Sequence, residues 1–390
     1  MTRDPAWLTD DLEGLKRSHL FRPRRLVKSL GPGRSLIDGR ELVDFSTNDY
    51  LGLARDPRLI LASADIPTGA GASPLVTGRS EQYSQLEQDI ADFEGTESAL
   101  LFPSGFAANL GSVAALVGTG DTVFSDRLNH ASLIDGCRLS GARLRVYHQN
   151  SLDSLDQQLK SAATSPRRLI VTDGLFSMDG TVAPLNQLCD LADAHDAMLL
   201  VDEAHATGVL GNTGRGTCEF LNVEAKVTLR VGTLSKAVGA AGGFVAGSAA
   251  IVDFLWHHAR TQVFSTAIPP ATCAAASAGL RLIAENNQLQ QHLQQLATRL
   301  RQHIARLGLD TPSVDGPIVP IILGDPAVAV STSARLVECG MFVPAIRPPS
   351  VPDDTARLRI SLSAAHTEAD VDRLADSLAK TVSPELTARG

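Results

Sequence analysis

Between about residues 80 and 250, short apolar runs alternate with longer segments of helical periodicity. Ala99–Phe102, Thr122–Ser125, Leu144–Tyr147, Leu169–Thr172, Met198–Val201, Leu229–Val231 and Gly243–Ala246 read as strands. Tyr83–Phe93, Ala107–Val117, Ala131–Ser140, Ser151–Lys160 and Pro184–His195 read as helices between them. Uniformly apolar strands alternating with helices predict an α/β fold whose large, mostly parallel seven-stranded sheet is covered on both faces. Ligands of such sheets lie beyond the carboxyl ends of the strands, so the polar residues after each run are the candidates for chemistry.

The flanks differ. Residues 1–46 combine an amphipathic segment, the basic stretch Arg22-Pro23-Arg24-Arg25 and two short strands around Leu36 and Leu42, with turn signals at Gly31-Pro32-Gly33 and Asp38-Gly39. This predicts an arm and a hairpin. Residues 47–270 form the expected large domain. Residues 271–390 read as a small α+β C-terminal domain, opening with one long helical stretch from Ala271 to about Leu307 and carrying strands near Ile318–Leu323 and Leu358–Ser363.

Composition narrows the function. A chain of 390 residues with 44% hydrophobic and 20% charged residues is ordinary for a soluble globular protein. A net charge of −8 without a basic, aromatic-interleaved block argues against nucleic-acid binding. The start, Met1 to Trp7, lacks the pattern of a secretory signal, and no apolar run approaches about 18 residues, so a cytoplasmic protein off the membrane is expected. Five scattered cysteines without CxxC spacing indicate neither a disulfide framework nor a zinc site. The adjacent His257 and His258 cannot share a helix face, and no HExxH occurs, so no metal is expected.

The strand ends carry the chemistry. Lys236 lies in Thr233-Leu234-Ser235-Lys236, after one apolar strand, and Asp202 ends another in Asp202-Glu203-Ala204-His205. An amine and an acid so placed suit pyridoxal phosphate (PLP): the lysine for a Schiff base, the acid for the pyridine nitrogen. His205, three residues on, would share the Asp202 face of a helical turn. Ser104-Gly105-Phe106 opens a helix after a strand, which suits a phosphate or an ordinary N-cap. His130, in Asn129-His130-Ala131-Ser132, suits ring stacking and proton transfer, or a plain helix start. Ser177 follows the fourth strand in a loop that is either a cofactor contact or an Asp-Gly turn. Thr233 is a phosphate candidate, as are Ser265 and Thr266 before Pro269. Arg357 and Arg359 alternate on one strand face, either toward a cleft where they would grip a carboxylate or toward solvent.

These segments resemble one family. Asn48-Asp49-Tyr50-Leu51-Gly52-Leu53, the His130 segment, Phe176-Ser177-Met178-Asp179-Gly180, Asp202–His205, Thr233–Lys236 and Arg357-Leu358-Arg359 follow the order seen in α-oxoamine synthases, over about residues 40–380. The resemblance implies a fold-type I PLP-dependent transferase that joins an amino acid to an acyl thioester. It implies Lys236 as Schiff-base lysine and Cα base, Asp202 at the pyridine nitrogen, His205 at the ring hydroxyl and His130 stacked on the ring. Gly105, Phe106 and Thr233 would hold the phosphate, with Ser265 or Thr266 from the partner in a homodimer. Asn48, Ser177 and Arg359 would hold the amino-acid carboxylate. Arg22, Arg24 and Arg347 are candidates for the distal carboxylate or the CoA phosphates. Ala345–Pro352 and Gly71–Gly78 favour L-alanine and a pimeloyl thioester over glycine with acetyl- or succinyl-CoA.

Overall fold

The computed structural model describes residues 5–149, 151–309 and 316–382. Residues 1–4, 150, 310–315 and 383–390, which include parts of the expected arm and small domain, lie outside the described residues. In chain order the strands are β1 (Val27–Gly31), β2 (Arg34–Ile37), β3 (Arg40–Asp44), β4 (Ser98–Phe102), β5 (Thr122–Asp126), β6 (Arg143–Tyr147) and β7 (Arg168–Asp173). There follow β8 (Met198–Asp202), β9 (Leu229–Thr233), β10 (Gly243–Gly247), β11 (Ile318–Gly324), β12 (Met341–Phe342), β13 (Ala345–Ile346) and β14 (Ala356–Ser361). The chain divides into two units: 51–177 with 181–291, and 1–50 with 178–180 and 292–390.

The large unit holds a seven-stranded sheet of order β4-β10-β9-β8-β7-β5-β6. The strands β5 to β9 pair in parallel, and β10 runs antiparallel to both β4 and β9. Successive strand residues point to opposite faces. Val171 and Leu200 therefore join one buried cluster with Ala108, Val113 and Leu133 from the covering helices, while Ile170, Leu199 and Val201 join another with Leu155, Leu188 and Cys189. Two buried faces explain why the central strands are apolar on both sides, while the edge strand β6 carries Arg143 and Arg145 and is partly exposed.

Residues 1–50 belong to the second unit rather than standing apart as an arm and hairpin. Strands β1 to β3 are antiparallel neighbours, and β3 pairs in parallel with β12, Val43 facing Met341. The open edge of β3 thereby finds partners, the Val43 N–H donating to the Gly340 carbonyl at 3.0 Å. A second sheet, β11-β14-β13, packs against the helix Pro326–Glu338, which in turn packs on the helix Glu368–Thr381.

The division expected near residue 270 falls at 291 instead. The expected long helical stretch is two helices, Pro270–Glu285 and Gln288–Arg306, broken at Asn286 and Asn287. The first belongs to the large unit because its small residues permit close packing: a Cβ on Gly279 would stand 2.3 Å from the Val238 carbonyl oxygen. No helix among the described residues is long and apolar enough to cross a membrane.

Candidate active site

Beyond the carboxyl ends of the large unit's strands lies a cavity of about 240 Å³, with Gly105, His130, Asp173, Asp202, Thr233 and Lys236 in its wall. Phe106, Asn109, Ser132 and His205 also line it. They arrive from the ends of five strands, β4, β5, β7, β8 and β9, which is why residues far apart in sequence share one space.

The helix Gly105–Leu116 points its N-terminus into the cavity. The Ser104 hydroxyl caps it by accepting from the Ala107 N–H at 3.1 Å. Among the described residues the Gly105 and Phe106 amides have no partner, which leaves two donors at the positive end of a helix dipole. Glycine is needed here for close approach. A Cβ on Gly105 would stand 3.2 Å from the Thr233 Cβ, and one on Gly243 would stand 2.4 Å from the Gly105 nitrogen. Thr233 Oγ1 donates to the Gly242 carbonyl at 2.9 Å and accepts from the Ser235 N–H at 3.2 Å, fixing the turn that presents Lys236.

Asp202 is 6% exposed at the end of β8. One carboxylate oxygen accepts from Asn109 Nδ2 at 2.5 Å, the other from the Ala204 N–H at 2.8 Å. Asn109 Nδ2 also donates to Ser132 Oγ at 2.9 Å, and Ser132 Oγ lies 2.8 Å from His130 Nδ1. A hydrogen-bonded chain thus runs from Asp202 to the His130 ring. His130 is exposed as a residue, with the Phe106 ring edge-on at 6.2 Å. The pocket wall nevertheless desolvates its imidazole and holds it below its ordinary pKa; Asp202 opposes this and Lys236 adds to it.

Asp173 ends β7 directly opposite Asp202. Its Oδ1 accepts from the His130 N–H at 3.2 Å, while Oδ2 is buried without a partner. Burial first, and the nearby Asp202 second, push this carboxyl well above the usual range.

The residues fit PLP. The backbone cradle at Gly105, which a side chain would fill, suits a phosphate. The cavity wall also supplies an amine at Lys236, a hydrogen-bonded carboxylate at Asp202, and imidazoles at His130 and His205.

Of the other expected site residues in this unit, Ser177 is buried early in the loop that follows β7 and does not line the cavity. Ser265 and Thr266 follow the short helix Arg260–Val263 and line a separate small crevice with Tyr83 and Pro103. In the other unit Asn48 and Arg359 meet: Arg359 Nη1 donates to Asn48 Oδ1 at 3.2 Å and to Ser361 Oγ at 2.6 Å. Its strand neighbour Arg357 is engaged differently, in an ion pair with Asp179 at 2.7 Å and a bond to the Met178 carbonyl at 3.2 Å. Both arginines are buried, so neither lies on an exposed strand face. Arg22 donates to the Pro348 carbonyl at 3.3 Å, and Arg347 donates to the carbonyls of His19 and Phe21. Burial, then the charge of Arg22, lowers the Arg347 guanidinium pKa.

Asn109 and Asp173 were absent from the expected site set. The signal for Asn109 was a lone amide within the apolar helix stretch; for Asp173 it was an acid ending an apolar strand, as Asp202 does.

Residues 40–378 match the family described as aminotransferase class I and II. An 8-amino-7-oxononanoate synthase from Anaeromyxobacter dehalogenans is 46% identical over 391 residues, covering 98% of this chain and 97% of the relative. A serine palmitoyltransferase from S. paucimobilis, solved with PLP and myriocin bound, superposes with a TM-score of 0.93 at 29% identity, covering 98% of each chain. An 8-amino-7-oxononanoate synthase structure from Francisella tularensis gives a TM-score of 0.76 at 30% identity, covering 88% of this chain and 99% of that one.

Proposed function

The chain belongs to the class I and II aminotransferase family, among its α-oxoamine synthases of fold type I, and from that membership we propose that it condenses L-alanine with a pimeloyl thioester. The products are 8-amino-7-oxononanoate, CO2 and the free thiol, and the reaction serves biotin biosynthesis. The observation that carries this reading is the convergence of Lys236, Asp202 and the Gly105 helix N-terminus on one cavity.

PLP, when bound, supplies an electron sink for the charge left on the amino-acid Cα. The Gly105 and Phe106 amides and Thr233 would hold its phosphate. Asp202, fixed by Asn109 and Ala204, would hold a proton on the ring nitrogen. His205 would contact the ring hydroxyl and His130 would cover the ring face. The Lys236 amine would take the Cα proton and return it. Arg359, supported by Asn48, would grip the amino-acid carboxylate with Ser177, and Arg22 and Arg347 would serve the distal carboxylate or CoA phosphates. A cytoplasmic homodimer fits this reading. Ser265 and Thr266 would serve the partner's cofactor.

Thiol release by the PLP-loaded protein, compared for L-alanine plus pimeloyl-CoA and glycine plus acetyl-CoA, tests this. Faster release with the first pair, with the keto-amine product by mass, is expected. Faster release with the second pair would keep the chemistry and overturn the substrates.

A further inference from the structure

Two carboxylates end neighbouring strands of this site, and their surroundings treat them unequally. Val171 and Leu200 are paired across β7 and β8 and face the same core cluster. Two residues on, Asp173 and Asp202 are paired in turn and so stand on that same face, at strands about 4.8 Å apart. Asp202 receives one N–H donor on each oxygen. Asp173 receives one backbone N–H on Oδ1 and nothing on Oδ2, although it is 3% exposed. A buried oxygen without a donor disfavours charge, and two adjacent carboxylates without a cation between them do not readily both ionise.

We propose that Asp173 is the neutral member of this pair, a protonated carboxylic acid that positions the His130 main chain through Oδ1 and leaves Asp202 as the cavity's single carboxylate. The inference rests on reading the cavity as a PLP site. A second negative charge beside Asp202 would compete for the one cation that Asp202 is placed to meet. Environments that drive paired carboxyls apart are how such sites assign one acid and one base.

The charged and titratable groups around Asp173 agree. Asp202 from β8 and Asp126 from β5 raise its carboxyl pKa, while Lys236, beyond β9, and the His130 N–H lower it; burial outweighs them. Tyr147 on β6 is a further titratable neighbour, itself pushed up by burial and by the acids beside it.

The test uses PLP-loaded protein labelled with ¹³C at its aspartate carboxyls, which separates aspartate from the buried Glu87, Glu94 and Glu203. Infrared spectra at neutral pH should show a labelled protonated-carboxyl band that Asp173→Asn removes and Asp202→Asn leaves. Thermal melting should also follow a defined sign. A carboxyl raised in the folded state gives stability present below its unfolded value and lost as pH rises through its folded value. The melting temperature of Asp173→Asn should therefore gain on wild type as pH rises. A gap widening the other way, or a wild-type spectrum without the labelled band, overturns the proposal. Asp173→Glu removes the labelled band while keeping the acid, and provides the assignment should the Asn variant fail to fold. None of these readouts depends on turnover. If PLP does not bind at Lys236, the reading of the cavity fails while the state of Asp173 is still measured.

Discussion

Gly105 and Thr233 approach so closely that a Cβ on the glycine would stand 3.2 Å from the Thr233 Cβ, and the threonine would have to give way. Thr233 ends β9 and Gly105 opens the helix that follows β4, two strands separated in the sheet by β10 alone. Gly105→Val should cost about 1–3 kcal/mol of local packing, and weaken PLP binding roughly tenfold or more. Fluorescence titration of the apoprotein with PLP measures this; unchanged affinity would remove the cradle from the phosphate site.

Asn109→Ala takes away a donor to the Asp202 carboxylate and cuts the chain to Ser132 and His130. A hydrogen bond to a charged group is worth about 1.5–3 kcal/mol. The melting temperature and PLP affinity should both fall, and Asn109→Asp should be worse than alanine because it sets an acid against Asp202. Calorimetry of the three proteins gives the order.

Lys236→Ala should abolish turnover and the absorbance of covalently held PLP while leaving the protein folded. Asp202→Ala should abolish turnover and retain the covalent link. Absorbance spectra with a thiol-release assay separate the two, and normal turnover in either variant would end the assignment.

His366 is buried and neutral: Nδ1 accepts from the Ser363 N–H at 3.0 Å, Nε2 lies 3.1 Å from the Asp44 carbonyl, and the ring stacks on Phe45. Burial lowers its pKa to about 4. A histidine depressed in the folded state leaves stability intact above its unfolded value near 6.5, and stability is lost as pH falls toward about 4. The loss should reach about 3 kcal/mol. His366→Gln should flatten that limb of a melting-temperature profile.

Arg357→Ala leaves Asp179 without its partner, and because that acid is partly exposed the loss should be about 3 kcal/mol, the lower end for a broken buried pair. Arg359→Lys should instead raise the KM for the amino acid, since a single ammonium cannot replace the planar fork held by Asn48 and Ser361. Equal effects from both variants would contradict the division of labour between neighbouring arginines.

The central strands of the large sheet were legible because they are apolar on both faces, and Lys236, Asp202, His205 and His130 were legible because each follows an apolar strand. Asn109 was not, since its partner Asp202 is supplied by a strand 93 residues on. Within its own helix it is one amide among small apolar residues. Asp173 carried the same strand-end signature as Asp202, but only the unequal supply of donors separates the two. The placement of Pro270–Glu285 escaped for a similar reason: its small-residue face acquires meaning only against Val238. Alternation placed Arg357 and Arg359 together, yet could not show that one is tied to Asp179 and the other to Asn48.

Strand β10 has a consequence for the order of events during synthesis. It is the last strand of the large sheet to leave the ribosome, yet it lies between β4, the first, and β9. Strand β4 has no neighbour in the sheet until β10 arrives, and the Gly105 cradle closes against Gly243, the first residue of β10. A nascent chain that already displays His130 and Asp202 therefore still lacks a finished anion cradle. Cofactor capture therefore waits for β10 to emerge, which makes loading a report on closure of the seven-stranded sheet.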